Sequence, residues 1–409
     1  MNQMLKYEIK KIFSRAGGKI AVLILFLTVG VSGFFAIHEV SYVNESGKTE
    51  YGYAAVQKLK AEKKKWKGEL TTEQLAKVLE ENARIAGSEE YQSQNADENN
   101  KAYHEIQGIS DIRDIINSAF GGFTNYDYYK ADSLTPDQAG EFYSRRLQNL
   151  EDWLADDEQN QMSEEEKQYL IAQYQKLHTP LFYDDADGWT QLFKYAPTVI
   201  MMLVLTAGFL TSGIFSFEFQ QKADSIFFSS YHGRKKAVRS KLAAGFLLVT
   251  VLYWLMILLY SAVVLLFLGT DGAGTAIQTT LGGFKSIFNM THFQEYLLII
   301  VSGYVGTLFM LTVTMVISAK TRSAILAVMV PFVLIFARSF VGGIRVFSKI
   351  LGIFPDALLQ MGEVLHYVNL YSVGGRLVTA VPILLILYTA VTVILYPVLY
   401  HMYKNTEIK

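Results

Sequence analysis

Residues 217–241 form a polar stretch between two long apolar runs. This stretch carries charged side chains that could take part in chemistry. Its acidic residues are only Glu218 and Asp224, and its phenylalanines add apolar surface. Apolar groups surrounded by complementary charge are typical of a surface that docks a soluble protein. We therefore expect this stretch to contact another protein through its aromatic and basic side chains. The basic residues are Lys222, Arg234, Lys235, Lys236, Arg239 and Lys241.

The position of Glu218 raises the question of what stabilises its negative charge. It follows a predicted helix end, where the helix macrodipole disfavours an anion. A cationic group of a partner would relieve that cost. A solvated carboxylate that caps the next turn would relieve it as well, and the sequence leaves both open.

Catalytic motifs are absent from the sequence. It has no phosphate-binding loop, dinucleotide fingerprint, zinc-protease motif or hydrolase nucleophile elbow. The seven histidines are scattered, and there is no cysteine. We therefore predict no catalytic residue, no metal site, no cofactor bound by this chain and no nucleic-acid partner. Energy for any work must come from a partner or an ion gradient.

The elements that position this stretch are predicted to be membrane helices. Apolar runs at 20–38, 194–216 and 378–403, and three more within 242–341, are long enough to cross a ~30 Å hydrocarbon layer. Basic residues gather in the short segments on one side, which the positive-inside rule places in the cytoplasm. The sequence thus predicts an all-α polytopic protein with six transmembrane helices. Both termini, including the tail 404–409, would lie inside a bacterial plasma membrane.

The N-terminal segment, residues 1–19, has an amphipathic pattern. Leu5, Ile9, Ile12 and Phe13 form one apolar face, opposite basic residues. This pattern predicts an elbow helix lying in the membrane interface of the lipid bilayer. The alternative is a basic flank that only orients the first span.

Residues 39–193 form an acidic block between the first two spans. They contain 30 acidic and 16 basic residues, whereas the rest of the chain contains 8 and 21. Capping-box patterns begin at Thr71, Thr135 and Ser163, and alternating strand patterns are absent. We predict a mainly helical extracellular domain with helices at 56–66, 72–85, 102–120 and 136–154. Residues 269–283 should be a flexible outer loop, and 342–377, too polar to span, an outer re-entrant segment.

A few polar side chains within the spans are candidates for a translocation path. Arg338 in the fifth span could contact an anionic substrate or gate the path, or its side chain could snorkel to the interface. Thr206, Thr211 and Ser212 in the second span could line a polar path. Their more common use is helix packing.

In these features the chain resembles an ABC-2 type transporter permease, the membrane half of bacterial ATP-driven exporters. The elbow helix at 5–13 and six spans with a re-entrant piece before the last are similar to that family. The stretch 217–241 departs from it at Lys222-Ala223, where many members have Gly-Thr, and at Ser229-Ser230, where a proline is frequent. The residues that match the family's coupling loop are Glu218, Phe227, Phe228, Gly233, Arg234, Lys235 and Lys241.

The resemblance implies a function for the whole assembly. Two such permeases, identical or paired with a sister subunit, would bind two copies of a cytoplasmic ATPase, which holds ATP and Mg. The stretch 217–241 would be the coupling helix for export of a peptide, drug or ion. The long acidic block is similar to permeases of sodium-export and antimicrobial-peptide or lantibiotic-immunity systems. The alternative is a non-transporting scaffold or sensor whose extracellular domain binds an envelope partner or peptide.

Overall fold

The computed structural model describes residues 3–14, 16–156, 162–341 and 348–406, and this part of the chain is mostly helical. In chain order the α-helices are α1 (Gln3–Phe13), α2 (Ala16–His38), α3 (Tyr53–Lys64), α4 (Thr72–Ala86), α5 (Glu89–Gln92), α6 (Ala96–Ile106), α7 (Ser110–Phe120), α8 (Phe142–Ala155), α9 (Glu164–Gln175), α10 (Asp187–Thr211), α11 (Phe217–Gln220), α12 (Asp224–Ser229), α13 (Val238–Leu268), α14 (His292–Thr321), α15 (Ala324–Val341), α16 (Ser348–Leu351), α17 (Met361–His366) and α18 (Ala380–Lys404).

Five of these helices, α2, α10, α13, α14 and α18, are long and apolar enough to cross a membrane. At 1.5 Å per residue, the 31 residues of α13 extend about 45 Å, which exceeds the ~30 Å hydrocarbon layer. The apolar helix α15, where the fifth of six spans is predicted, is shorter and is not among these five. The structure thus agrees with the predicted all-α polytopic class at the level of five candidate spans.

The long helices pack side by side into one bundle, in which α10 contacts α2, α13, α14 and α15. Small residues let their backbones approach closely. A Cβ atom on Gly208 of α10 would lie 2.5 Å from Pro331 of α15, and one on Gly303 of α14 would lie 2.6 Å from the Tyr253 hydroxyl. That hydroxyl donates to the carbonyl of Ile300 at 2.7 Å. Close backbone contact and satisfied buried polar groups are what hold membrane helices together.

The two ends of the bundle contact different segments of the chain. The polar stretch 217–241, α1 and the C-terminal end of α18 meet at one end, through contacts such as Lys11 to Glu218. The domain inserted between α2 and α10, residues 39–186, lies at the other end, where Lys60 pairs with Asp271 just beyond α13. We call residues 39–186 the inserted domain and residues 217–241 the basic loop.

The inserted domain has its own apolar core, built mainly from α4, α6, α7 and α8. Thr71 and Ser163 cap α4 and α9 as predicted. The helix predicted at 102–120 is instead two helices, broken at 107–109, and the one at 136–154 begins with a 3-10 turn, Pro136–Glu141. The segment 269–283, predicted to be a flexible outer loop, contains a buried 3-10 turn, Ile277–Thr279, and the Ile277 amide donates to the carbonyl of Met290 at 3.1 Å. The next residue, Phe284, is buried in the core of the inserted domain, and its carbonyl accepts from Arg146 at 2.7 Å.

Three antiparallel strand pairs occur within the described residues, two of them in the mainly helical inserted domain. Each strand has only two to four residues, too short for an alternating pattern to be visible in the sequence. The third pair leads into α18. The strands are β1 (Tyr42–Val43), β2 (Thr49–Glu50), β3 (Gly68–Glu69), β4 (Phe182–Tyr183), β5 (Leu370–Val373) and β6 (Arg376–Thr379). They pair in consecutive order, β1 with β2, β3 with β4 and β5 with β6, and much of the inserted domain lies between β3 and β4.

The segment before α18, predicted as re-entrant, is partly described. Residues 342–347 lie outside the described residues. The remainder forms α16, a 3-10 turn (Pro355–Gln360), α17 and the β5–β6 hairpin. Leu358, Leu359 and Met361 are buried against the bundle. The short helical pieces therefore belong to the core, since they pack on α14, α15 and α18.

Candidate functional site

The basic loop is a compact folded unit that connects α10 to α13. It consists of α11, α12 and a π-helical turn (Gly233–Ala237) that runs directly into α13. Lys222 adopts a left-handed backbone conformation with a φ of 54°, which turns the chain between α11 and α12. A Cβ atom on Gly233 would lie 1.8 Å from the carbonyl oxygen of Phe227. Glycine is therefore required at that position for the loop to close on itself.

Glu218 is the centre of a buried ionic cluster at the base of this loop. Its Oε1 accepts from Lys241 Nζ at 2.8 Å and from Lys11 Nζ at 2.6 Å. The Lys241 side chain is fully buried and also donates to the carbonyl of Ile214 at 2.8 Å. Glu8 lies 3.4 Å from Lys241 Nζ, so two carboxylates face two ammonium groups. The cluster ties α1, the basic loop and α13 together.

The charge balance of the cluster determines the ionisation of Glu218. Burial alone would raise the pKa of Glu218, but Lys241 and Lys11 outweigh burial and hold that pKa below its ordinary value. The Tyr403 hydroxyl of α18 lies 3.4 Å from the second oxygen of Glu218. The cations expected for Glu218 are thus supplied by this chain itself, and the alternative of a solvated carboxylate is wrong.

The two phenylalanines predicted to contact a partner point largely inward. Phe228 is buried among Phe215, Phe219 and Tyr403, with ring centroids 5.3 Å apart between Phe228 and Tyr403. Phe227 is half-buried and packs edge-on against Phe228 at 5.0 Å. The apolar part of the predicted docking set is therefore mostly the core of the loop, because a short loop between long helices must bury its own aromatic groups.

Arg234 anchors the loop to the C-terminal end of α18. Its Nη1 donates to the carbonyls of Lys404 at 2.9 Å and Thr406 at 3.1 Å. The guanidinium also lies over the Phe228 ring, 5.2 Å from its centroid. A cation at the C-terminus of a helix satisfies free carbonyls and is favoured by the macrodipole.

A different set of side chains faces outward from the loop. Ile226 is 74% exposed and Tyr231 is 96% exposed. Four basic residues of the loop are exposed as well, so its outside carries both apolar and positively charged side chains. We call this set the loop surface. Its two apolar members are not among the residues predicted from the sequence, because that prediction places apolar contact at phenylalanines alone. The basic members are Lys222, Lys235, Lys236 and Arg239.

Comparison with known proteins did not identify a family: no family model, no curated protein and no solved structure matches this chain. The functional argument therefore rests on the geometry of the chain itself.

The predicted path residues of α10 lie inside the bundle. Thr206 and Thr211 are buried, and the Thr211 hydroxyl donates to the carbonyl of Ala207 at 2.7 Å. The Ser212 hydroxyl donates to the carbonyl of Phe209 at 2.9 Å. Ser212 also lines a cavity of about 310 Å³ between α1, α2, α10 and α15, with Glu8 and Lys11 at its polar side. Of the three, only Ser212 borders this cavity.

Arg338, the remaining predicted path residue, has a charged partner. Its Nη1 lies 3.7 Å from a carboxylate oxygen of Asp356, a buried residue of the 3-10 turn before α17. The Arg338 side chain is 40% exposed. The arginine thus connects α15 to the segment before α18.

A second charged cluster lies at the opposite end, where the inserted domain meets α10. Lys63 is buried, and its Nζ lies 2.9 Å from Asp111, 3.8 Å from Asp185 and 2.6 Å from Asp187. Burial and the neighbouring Asp187 raise the pKa of Asp185 to about 7, although Lys63 acts in the opposite direction. A polar cavity of about 300 Å³ opens beside this cluster, bordered by Asp111, Asp187 and Gln191.

Proposed function

We propose that this chain is the transmembrane subunit of an ATP-driven exporter of the ABC-2 type. A separate cytoplasmic ATPase, present in two copies, would bind ATP and Mg and dock on the loop surface of each of two permease subunits. The observation that carries this proposal is the construction of the basic loop: its buried charged groups are paired inside, and apolar and basic side chains are exposed outside. Such a surface fits a partner with an apolar groove and acidic rim.

The proposal includes a membrane topology. Helix α15 would make the sixth crossing, although its 18 residues extend only about 27 Å. The basic loop, α1 and the end of α18 would then lie in the cytoplasm, since these segments carry the excess of lysine and arginine. The inserted domain would lie outside a bacterial plasma membrane.

Force applied to the loop surface would be transmitted into the helices through the buried contacts. The Glu218 cluster links the loop to α1 and α13, and Arg234 links it to α18. A loop held by these three contacts moves with its helices as one body instead of bending at its base. Closure of the ATPase would thus tilt these helices, which is a rigid-body transition between two states.

The test compares substitutions on the loop surface with one elsewhere. Tyr231→Asp and Ile226→Asp place a negative charge at the exposed apolar positions of the loop surface, which should abolish recovery of the ATPase with the solubilised chain. Tyr129→Asp in the inserted domain, 63% exposed, is the matched control and should leave recovery in equal amounts unchanged. Equal ATPase recovery with all three variants would refute docking through this surface.

The alternative function, a non-transporting sensor or scaffold, is favoured by one observation. The inserted domain is joined to the helix ends by ion pairs such as Lys194 with Glu39 and Lys63 with Asp187, beside a polar cavity. Binding of an envelope partner or peptide in the domain could therefore move the helices without any ATPase. A chain that signals normally with the Tyr231→Asp substitution would favour this function over export.

A further inference from the structure

The polar cavity of about 300 Å³ beside Lys63 lies where the inserted domain meets two membrane helices. Glu39, directly after α2, and Gln191, in the second turn of α10, border it on one side, and Tyr103 of α6 and Asp114 of α7 border it on the other. Sites for small molecules usually enclose about 300–1,000 Å³. The cavity is therefore large enough for a small ligand that touches the inserted domain and both helices.

Negative charge exceeds positive charge around this cavity. Glu39 is balanced by Lys194, and Arg113 is balanced by Asp132. Lys63, in contrast, is the one cation that faces three aspartates, which leaves these carboxylates short of positive charge. The three aspartates are Asp111, Asp185 and Asp187.

Asp114 is a carboxylate of the cavity wall without a cation. Its Oδ1 accepts from the Tyr126 hydroxyl at 2.6 Å, and no lysine or arginine of the described residues forms an ion pair with it. Burial raises the pKa of Asp114, and the charge of Asp111 adds to this rise, although the hydrogen bond from Tyr126 acts in the opposite direction. A carboxylate in this position would be stabilised by a cation that enters the cavity.

Gln191 supplies a second acceptor that lacks a donor. Its Oε1 is buried, and among the residues that the structure describes it has no hydrogen-bond partner. Arg113 also lines the cavity, but it already donates to Asn82 at 2.7 Å and to Asp132 at 3.0 Å. A buried acceptor without a donor is costly, so an N–H group of a ligand is expected at Gln191.

The wall of the cavity already accommodates one primary ammonium group. Lys63 is buried, and its Nζ lies 2.6 Å from Asp187 and 2.9 Å from Asp111. A metal ion among these carboxylates would have to displace that lysine. The side chain of Tyr103, which is 42% exposed, adds aromatic surface, and aromatic rings attract cations.

We propose that this cavity binds a ligand through a primary ammonium group. The ammonium would pair with Asp114 near the ring of Tyr103, and Oε1 of Gln191 would accept a further N–H of the ligand. The group could belong to a free amine or to the lysine side chain of a peptide. Because Glu39 and Gln191 adjoin α2 and α10, the bound ligand would contact both helices. This site goes beyond the proposed function, since it requires no ATPase.

The test measures ligand binding to the full-length chain in detergent by isothermal titration calorimetry, at about 0.15 M salt so that exposed charges are screened. The two probes are diaminobutane and the tripeptide Gly-Lys-Gly with a blocked N-terminus. We expect one site per chain. Binding of diaminobutane alone would identify a small amine as the ligand, and tighter binding of the tripeptide would identify a peptide lysine. Acetylation removes the charge of either probe and should weaken its binding about tenfold or more.

Two variants test the two acceptors of the site. Asp114→Asn removes the negative charge and should weaken binding of the probe about tenfold or more, because a hydrogen bond to a charged group is lost. Gln191→Met replaces the unsatisfied acceptor with an apolar group of similar shape. It should weaken binding without lowering the melting temperature of the free chain, because Oε1 of Gln191 has no hydrogen bond to lose within the described residues.

Asp137→Asn is the matched control, because Asp137 is an exposed aspartate of the inserted domain that does not line the cavity. This variant should bind the probes as the unmodified chain does. The proposal is overturned if neither probe binds the unmodified chain, if an acetylated probe binds equally well, or if Asp114→Asn and Asp137→Asn bind with the same affinity. None of these outcomes involves an ATPase, so this proposal and the proposed function can fail separately.

Discussion

Replacing Glu218 with glutamine would remove the negative charge at the centre of the cluster that holds the basic loop. The Lys241 ammonium, whose side chain is fully buried, would then have Glu8 at 3.4 Å as its nearest anion, beside the neutral Ile214 carbonyl at 2.8 Å. Removing one partner of a buried ion pair typically costs 3–5 kcal/mol. Because Glu8 remains nearby, we expect about 3 kcal/mol, at the lower end of this range.

This loss should be visible as local opening of the basic loop. At 1.4 kcal/mol for each factor of ten, 3 kcal/mol corresponds to roughly a hundredfold faster amide hydrogen exchange in peptides covering 217–241. Hydrogen exchange measured by mass spectrometry reports this opening without a transport assay. Lys235→Met is the matched control, since Lys235 is an exposed cation in the same loop and its loss should leave exchange unchanged.

A double variant separates charge imbalance from loss of packing. Glu218→Gln combined with Lys241→Met removes both buried charges, and buried ion pairs replaced by neutral groups are often neutral or stabilising. We expect the double variant to recover at least half of the lost protection. The reasoning fails if residues 217–241 exchange at the same rate in the Glu218→Gln and Lys235→Met variants. It also fails if the protection lost in the double variant is the sum of the losses in Glu218→Gln and Lys241→Met, because the cluster then does not hold the loop.

Three further predictions concern single contacts. Because the pKa of Asp185 is raised to about 7 in the folded state, folded Asp185 holds a proton that the unfolded chain loses near pH 4. The free energy of unfolding therefore falls as pH rises from about 4 to 7. Asp185→Asn should reduce the difference in melting temperature between pH 5 and pH 8. Gly233→Ala, which places a Cβ against the carbonyl of Phe227, should destabilise the loop by about 1–3 kcal/mol, seen as faster exchange in 217–241. Arg234→Met should destabilise the end of α18 by roughly 1.5 kcal/mol, seen as faster amide hydrogen exchange of residues 399–406. Unchanged exchange of these residues would contradict the role of Arg234 as an anchor at Lys404.

The long helices could be predicted from the sequence because their signal is local. Apolar runs of spanning length and cap residues such as Thr71 and Ser163 fix a helix within a few residues. The 107–109 break has a sequence signal that the prediction of one helix at 102–120 does not use, because Gly108 stands where a glycine commonly ends a helix. The short strand pairs were missed for another reason, since strands β3 and β4 pair across more than a hundred residues of chain.

The candidate site was predicted in part. Glu218, Lys241 and Arg234 are important charged groups of the loop, but the sequence could not reveal that their partners lie in α1 and α18, far along the chain. The direction in which Phe228 points depends on the packing of four helices.

The most direct test of the central claim uses the absence of native cysteine in the chain. A single Tyr231→Cys substitution, carrying a photo-crosslinker attached in inside-out membrane vesicles, should capture an ATP-binding-cassette ATPase in about equal amount to the labelled chain. The same position should resist a membrane-impermeant thiol reagent in intact cells, whereas Tyr129→Cys in the inserted domain should react. Reaction of position 231 from outside the cell, or crosslinking without any nucleotide-hydrolysing chain, would contradict the account.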